Sequence, residues 1–172
     1  LVLADGKSNP AWVAADLLSQ AEHDKLASPV LVTDSMELAE KVQAELERQI
    51  PQLPREAIAR ASVDTNGKIV VAANLDLAID AVNIIAPEHL EICLDDPFAV
   101  LSRIKNAGSI FMGRNVPEAL GDYFAGPNHT LPTSGTGDAL GQVKDRIADF
   151  AEHEGLHAHA KSVTIRFEED GQ

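Results

Sequence analysis

A single cysteine, Cys93, occurs in 172 residues, so an intrachain disulfide framework and a multi-cysteine metal site are both excluded. The same scarcity suits a reducing compartment, and a cytoplasmic location is the expectation. Basic residues are also few. Fourteen Lys+Arg against 27 Asp+Glu leave a net charge of -13 and a pI near 4.7. Phosphate backbones and anionic membrane surfaces would be repelled, which argues against nucleic acid and membrane partners. No apolar run approaches the roughly 20 residues of a membrane span, and the stretch 81–86 is broken by Asn83. The opening residues, Leu1 to Asp5, include neither an initiator Met nor a basic segment ahead of an apolar one. They read as a core strand, and as a start inside a larger protein.

Several catalytic signatures are missing as well. No Gly-x-Gly-x-x-Gly follows a predicted strand, and Asp5-Gly6-Lys7-Ser8 lacks the upstream glycine that would cradle a phosphate. There is no Gly-x-Ser-x-Gly, and Cys93 sits in an apolar stretch unsuited to an activated nucleophile. Internal repeats and low-complexity tracts are absent.

What is present alternates between two periods. Strand signatures at residues 1–4, 29–33, 68–73, 90–94 and 109–112 are separated by helical patterns at 11–22, 36–50, 75–86 and 97–105. A further helix is predicted over 55–62, and another over 117–125. Asn9 and Ser35 stand where N-caps are needed, and Leu38, Val42, Leu46 and Ile50 recur every four residues. Strands separated in this way imply βαβ units with right-handed crossovers. The expected fold is a Rossmann-like three-layer α/β domain over residues 1–133, with a mostly parallel sheet of about five strands. Residues 126–137, rich in Gly, Pro, Asn and Thr, form a loop. Residues 134–172 then supply a linker and a short C-terminal helical tail, helical to about Glu154 and helical or extended from there through Phe167, with no partner of its own. Open α/β sheets bind ligands beyond the carboxyl ends of their strands, so site residues are sought there.

Few residues could carry chemistry, and each has a plainer reading. Gln20 and His23, three apart on a helix, could share a ligand, or His23 could simply complement the helix C-terminus. Glu88 and His89, fixed behind Pro87, could transfer protons, or be two solvated turn residues. Asp122 and His129 could bind a metal or a polar ligand, or be locally hydrogen-bonded loop groups. His153, Glu154, His157 and His159 could mark a metal site or a surface helix. Imidazoles with one carboxylate and an amide oxygen suit zinc, with manganese or cobalt as substitutes.

Five motifs stand in a fixed order: Ser19-Gln20-Ala21-Glu22-His23, Ala86-Pro87-Glu88-His89-Leu90, Gly121-Asp122-Tyr123, Gly126-Pro127-Asn128-His129-Thr130-Leu131-Pro132-Thr133 and Glu154-Gly155-Leu156-His157-Ala158-His159-Ala160. Together they resemble histidinol dehydrogenase, a family of histidine biosynthesis that oxidises L-histidinol to L-histidine in two NAD-dependent steps at a zinc site. The resemblance implies that Gln20, His23, Asp122 and His159 are zinc ligands. It also implies that His89 is the general base, that Glu88 activates water for the second oxidation, and that His129 and Glu154 contact substrate. In the family the tail reaches into a neighbouring subunit, so the expected assembly is a homodimer with tail exchange. The match is to the C-terminal half of longer chains, whose N-terminal half supplies most dinucleotide contacts. The link at 133–138 is also more direct than in the family, an internal shortening. A competing reading is a non-catalytic Rossmann-like or flavodoxin-like fragment, or a designed half-domain, that binds zinc weakly or serves only as a folding or dimerisation unit.

Overall fold

The computed structural model describes residues 1–116 and a strand at Thr164–Arg166. Five strands, β1 (Val2–Ala4), β2 (Val30–Thr33), β3 (Lys68–Val71), β4 (His89–Cys93) and β5 (Ser109–Met112), form a parallel sheet, joined at one edge by β6 (Thr164–Arg166). The order is β5-β4-β1-β2-β3-β6, and every pairing is parallel. The chain therefore winds outward from β1 through β2 to β3, then crosses back to β4 on the other side of β1. This is the Rossmann-like α/β architecture expected from the alternation. Past residue 155 the tail, expected to be helical or extended and to lack a partner, contributes a strand that pairs with β3 through Ile69↔Thr164. The expected helix at 117–125, the loop at 126–137 and the helix that follows lie outside the described residues, as do Asp122, His129, Glu154 and His159.

Local chemistry sets the helix starts. Asn9 accepts from the Ala11 N–H at 2.9 Å and Pro10 opens α1 (Pro10–Ala21). Ser35 caps α2 (Met36–Gln49) through the Leu38 N–H at 3.2 Å, and Asn74 caps α4 (Leu75–Ile85) through the Leu77 N–H at 3.0 Å. Pro51 converts the end of α2 into a 3₁₀ turn at Ile50–Gln52 before α3 (Glu56–Asn66).

One helix is much shorter than its pattern suggests. The pattern at 97–105 gives only α5 (Phe98–Leu101). The chain tightens there, with Arg103 N–H and Ile104 N–H bonding three residues back to Val100 and Leu101. Asn83 of α4 then holds the exit: its Nδ2 donates to Arg103 O at 2.9 Å, and its Oδ1 accepts from the Lys105 N–H at 2.6 Å. A tertiary side chain thus captures backbone groups that a longer helix would have used.

Two apolar layers sandwich the sheet. On one face α1, α2 and α3 pack over Val2, Ala4, Leu31, Ile69, Val71 and Cys93. On the other, α4 and Val100 of α5 pack over Leu3, Val30, Val32, Val70, Leu90 and Ile92. Leu38, Val42, Leu46 and Ile50 all fall in the first layer, as their four-residue spacing predicts. Among the described residues no helix is long and apolar enough to cross a membrane.

Candidate functional site

The four described candidates gather at the amino edge of the sheet. α1 starts at the carboxyl end of β1 and runs back, so Gln20 in its last turn and His23 just beyond return to the strand starts. The His23 N–H bonds to Gln20 O at 3.1 Å, and the His23 side chain is exposed while Gln20 is half-buried. Glu88 and His89 lie at the start of β4, Glu88 exposed and His89 half-buried. The expectation that site residues cluster at the carboxyl edge does not hold for these four. The reason is directional: a crossover helix returns its C-terminus to the opposite edge from the strand it follows, and Glu88-His89 precedes its strand.

The turn into β4 is specially shaped. Ala86 closes α4 in the left-handed region, φ 52 and ψ 60, with its N–H on Val82 O. A residue with a Cβ pays about 1 kcal/mol there, and Pro87 follows directly. The pair redirects the chain so that Glu88 leaves the helix axis and His89 enters the ladder, where its carbonyl accepts from the Leu1 nitrogen at 2.8 Å.

Strand alternation decides which face His89 uses. Cys93 packs in the α1 layer and Leu90 and Ile92 in the opposite one, so His89, Glu91 and Cys93 share the α1 face. His89 and Gln20 thus occupy one edge and one face of the sheet. Phe111 of β5, opposite Glu91 in the ladder, contacts the His89 ring at 6.3 Å between centroids and 49° between planes. A half-buried imidazole backed by an apolar ring is a setting suited to directional proton transfer.

Glu91 was missed by sequence reasoning. It is 4% exposed, the only acidic or basic residue among the described buried residues. The available signal was an acid between Leu90 and Ile92 in a core strand. Its negative charge and that of Asp16 add to burial, the main cause, in pushing the Cys93 thiol up to about 12. A thiol so held carries roughly a thousandth of the thiolate of an ordinary cysteine. Cys93 should therefore resist a disulfide reagent at pH 8 in the native chain and react at once in guanidinium. Fast labelling of the folded protein would overturn this account of its surroundings.

The carboxyl edge holds a different cluster. Arg114, just past β5, donates from Nε to Asp95 at 2.9 Å, from Nη1 to Ser8 Oγ at 2.5 Å and to Cys93 O at 2.7 Å, and from Nη2 to Asp5 at 2.9 Å. Lys7 Nζ donates to Asp95 at 2.6 Å. Gly113, at φ +116, makes the turn that aims Arg114 inward. Among the described residues no group of three or more His, Cys, Asp or Glu could hold a metal ion. Two of the four expected zinc ligands, Asp122 and His159, fall outside those residues.

Comparison with known proteins gives a consistent match. Residues 1–143 fit the family model described as histidinol dehydrogenase. The chain is 50% identical to histidinol dehydrogenase of Listeria monocytogenes serovar 1/2a over 192 positions, covering 99% of this chain and 45% of that protein. It is 48% identical to histidinol dehydrogenase of Geobacter metallireducens, covering 100% of this chain and 44% of that one. The crystal structure of histidinol dehydrogenase from Elizabethkingia anophelis aligns with a TM-score of 0.74 at 36% identity, over 84% of this chain and 32% of that chain. The chain thus spans about half the length of the curated relatives it matches. The alignment to the Listeria protein is longer than the chain, so that relative carries residues with no counterpart here.

Proposed function

Because the chain belongs to the histidinol dehydrogenase family, we propose that it is the zinc-bearing and substrate-contacting portion of such an enzyme, acting on L-histidinol in histidine biosynthesis. The supporting observation is the arrangement of its two described motif pairs: Gln20 with His23, and Glu88 with His89, come to one edge of the sheet. Zinc fits this donor set. An exposed imidazole three residues beyond an amide oxygen can turn toward one ion, and Asp122 and His159 would complete four N/O ligands. Bound there, zinc would hold the substrate's imidazole and amine. His89 then takes the alcohol proton as general base. Glu88, exposed to solvent, withdraws a proton from the water that adds to the aldehyde. His129 and Glu154 contact the substrate, and the working enzyme is a cytoplasmic homodimer sharing its tails.

NAD is the oxidant that this family implies, but the described residues do not fit it. There is no glycine-rich phosphate turn after a strand, and the strand ends that usually receive dinucleotides are tied up by Arg114.

The test is the zinc content of dialysed, tag-free protein by elemental analysis, with and without histidinol. About one zinc per chain is expected. A content at background would overturn the reading and favour the binding or assembly alternative.

A further inference from the structure

We infer that this sheet has surrendered its phosphate-binding position, because its own Arg114 occupies the crevice from within. The crevice lies between the carboxyl ends of β1 and β4. These strands are neighbours, and the helices that follow them pack on opposite faces, α1 in one layer and α5 in the other. That reversal defines the topological switch point, where open α/β sheets receive anionic and dinucleotide ligands.

Here the crevice is lined by Asp5 and Ser8 from the end of β1, and by Cys93 O and Asp95 from the end of β4. The Arg114 side chain, 20% exposed, fills it. A guanidinium has five N–H donors, and four are hydrogen-bonded: Nε to Asp95, Nη1 to Ser8 and Cys93 O, and Nη2 to Asp5, while Nη2 also lies 2.9 Å from Asp95 as an ion pair. Its charge is already matched by Asp5 and Asp95 before any phosphate oxygen arrives. Lys7, a second cation beside this crevice, is held by Asp95. The Ser8 hydroxyl donates to Cys93 O at 3.0 Å. The net charge of -13 repels an anion further. A dinucleotide serving the proposed oxidation must therefore be held by surfaces other than this edge.

The experiment titrates inorganic pyrophosphate and, separately, ADP into the ¹⁵N-labelled chain and follows its amides. With wild type, the amides of residues 5–9, 94–96 and 113–115 should stay in place up to about 10 mM ligand. Saturable shifts confined to those residues would overturn the inference. A second arm uses Asp5→Asn combined with Asp95→Asn, which frees Arg114 and Lys7 from their carboxylates. That variant should gain pyrophosphate shifts at those residues. A folded variant without such a gain would refute the claim that the carboxylates withhold the cations. Should the variant not fold, the wild-type arm decides alone. Neither arm uses zinc or histidinol, so failure here is separate from failure of the proposed function.

Discussion

Replacing His23 with alanine should weaken zinc binding by more than about 100-fold and leave the fold intact. His23 lies beyond the end of α1 with an exposed side chain, and the bond it makes there, from its N–H to Gln20 O, survives in alanine. The thermal midpoint of the metal-free variant should therefore stay within about 1 °C of wild type, because an exposed side chain outside the core contributes little. Competition against a chromophoric chelator gives the affinity, and circular dichroism gives the midpoint. Gln20→Ala should have a smaller effect, since a neutral amide oxygen is a weaker donor than imidazole. Undiminished affinity in the His23 variant would remove this residue from the ligand set, whatever the zinc content of wild type.

A loss of about 2–3 kcal/mol in stability is expected for Arg114→Met. The substitution keeps most of the apolar stem and removes the group that ties the ends of β1 and β4 to the exit of β5. Asp5 and Asp95 would remain, along with Ser8 and Cys93 O. The size lies at the low end for a broken ion network because the Asp95 side chain is 58% exposed and its pairs are partly screened. The pH dependence has a definite sign. Hydrogen bonds from Lys7 and then Arg114 hold the Asp95 carboxyl below its ordinary 3.8. A carboxyl depressed in the folded state contributes stability that is complete above the unfolded value and disappears as pH falls through the folded one. Urea unfolding of both proteins should show the full gap at pH 7 and a narrower gap at pH 3. A gap of equal size at both would mean that Arg114 acts through packing instead of charge.

The sheet was legible in the sequence because its evidence is local. Caps at Asn9 and Ser35, Pro10 at a helix start and the apolar spacing of Leu38 to Ile50 each report on their own neighbourhood, and each element appears where they predict. Longer-range features were not legible. α5 stops early because Asn83, some twenty residues back, takes its carbonyl and amide partners. Arg114 finds Asp5 and Ser8 across more than a hundred residues of chain, and nothing near Arg114 announces them. The motif pairs were found by their order along the chain, not by their position on the sheet. Counting helical turns from the strand ends would have sent Gln20 and His23 to the amino edge. Glu91 was passed over because an acid inside a strand reads as an outward-facing residue unless both faces are known to be covered.

The pairing of Thr164–Arg166 with β3 has a consequence for solubility. Three of the four residues of β3 are buried, and without β6 this apolar strand would end the sheet with a free row of amides and carbonyls. Such an edge is a template for strand addition by another molecule. The segment at Thr164–Arg166 therefore guards against self-association, and a protein trimmed to the family-matched residues 1–143 would lose that protection.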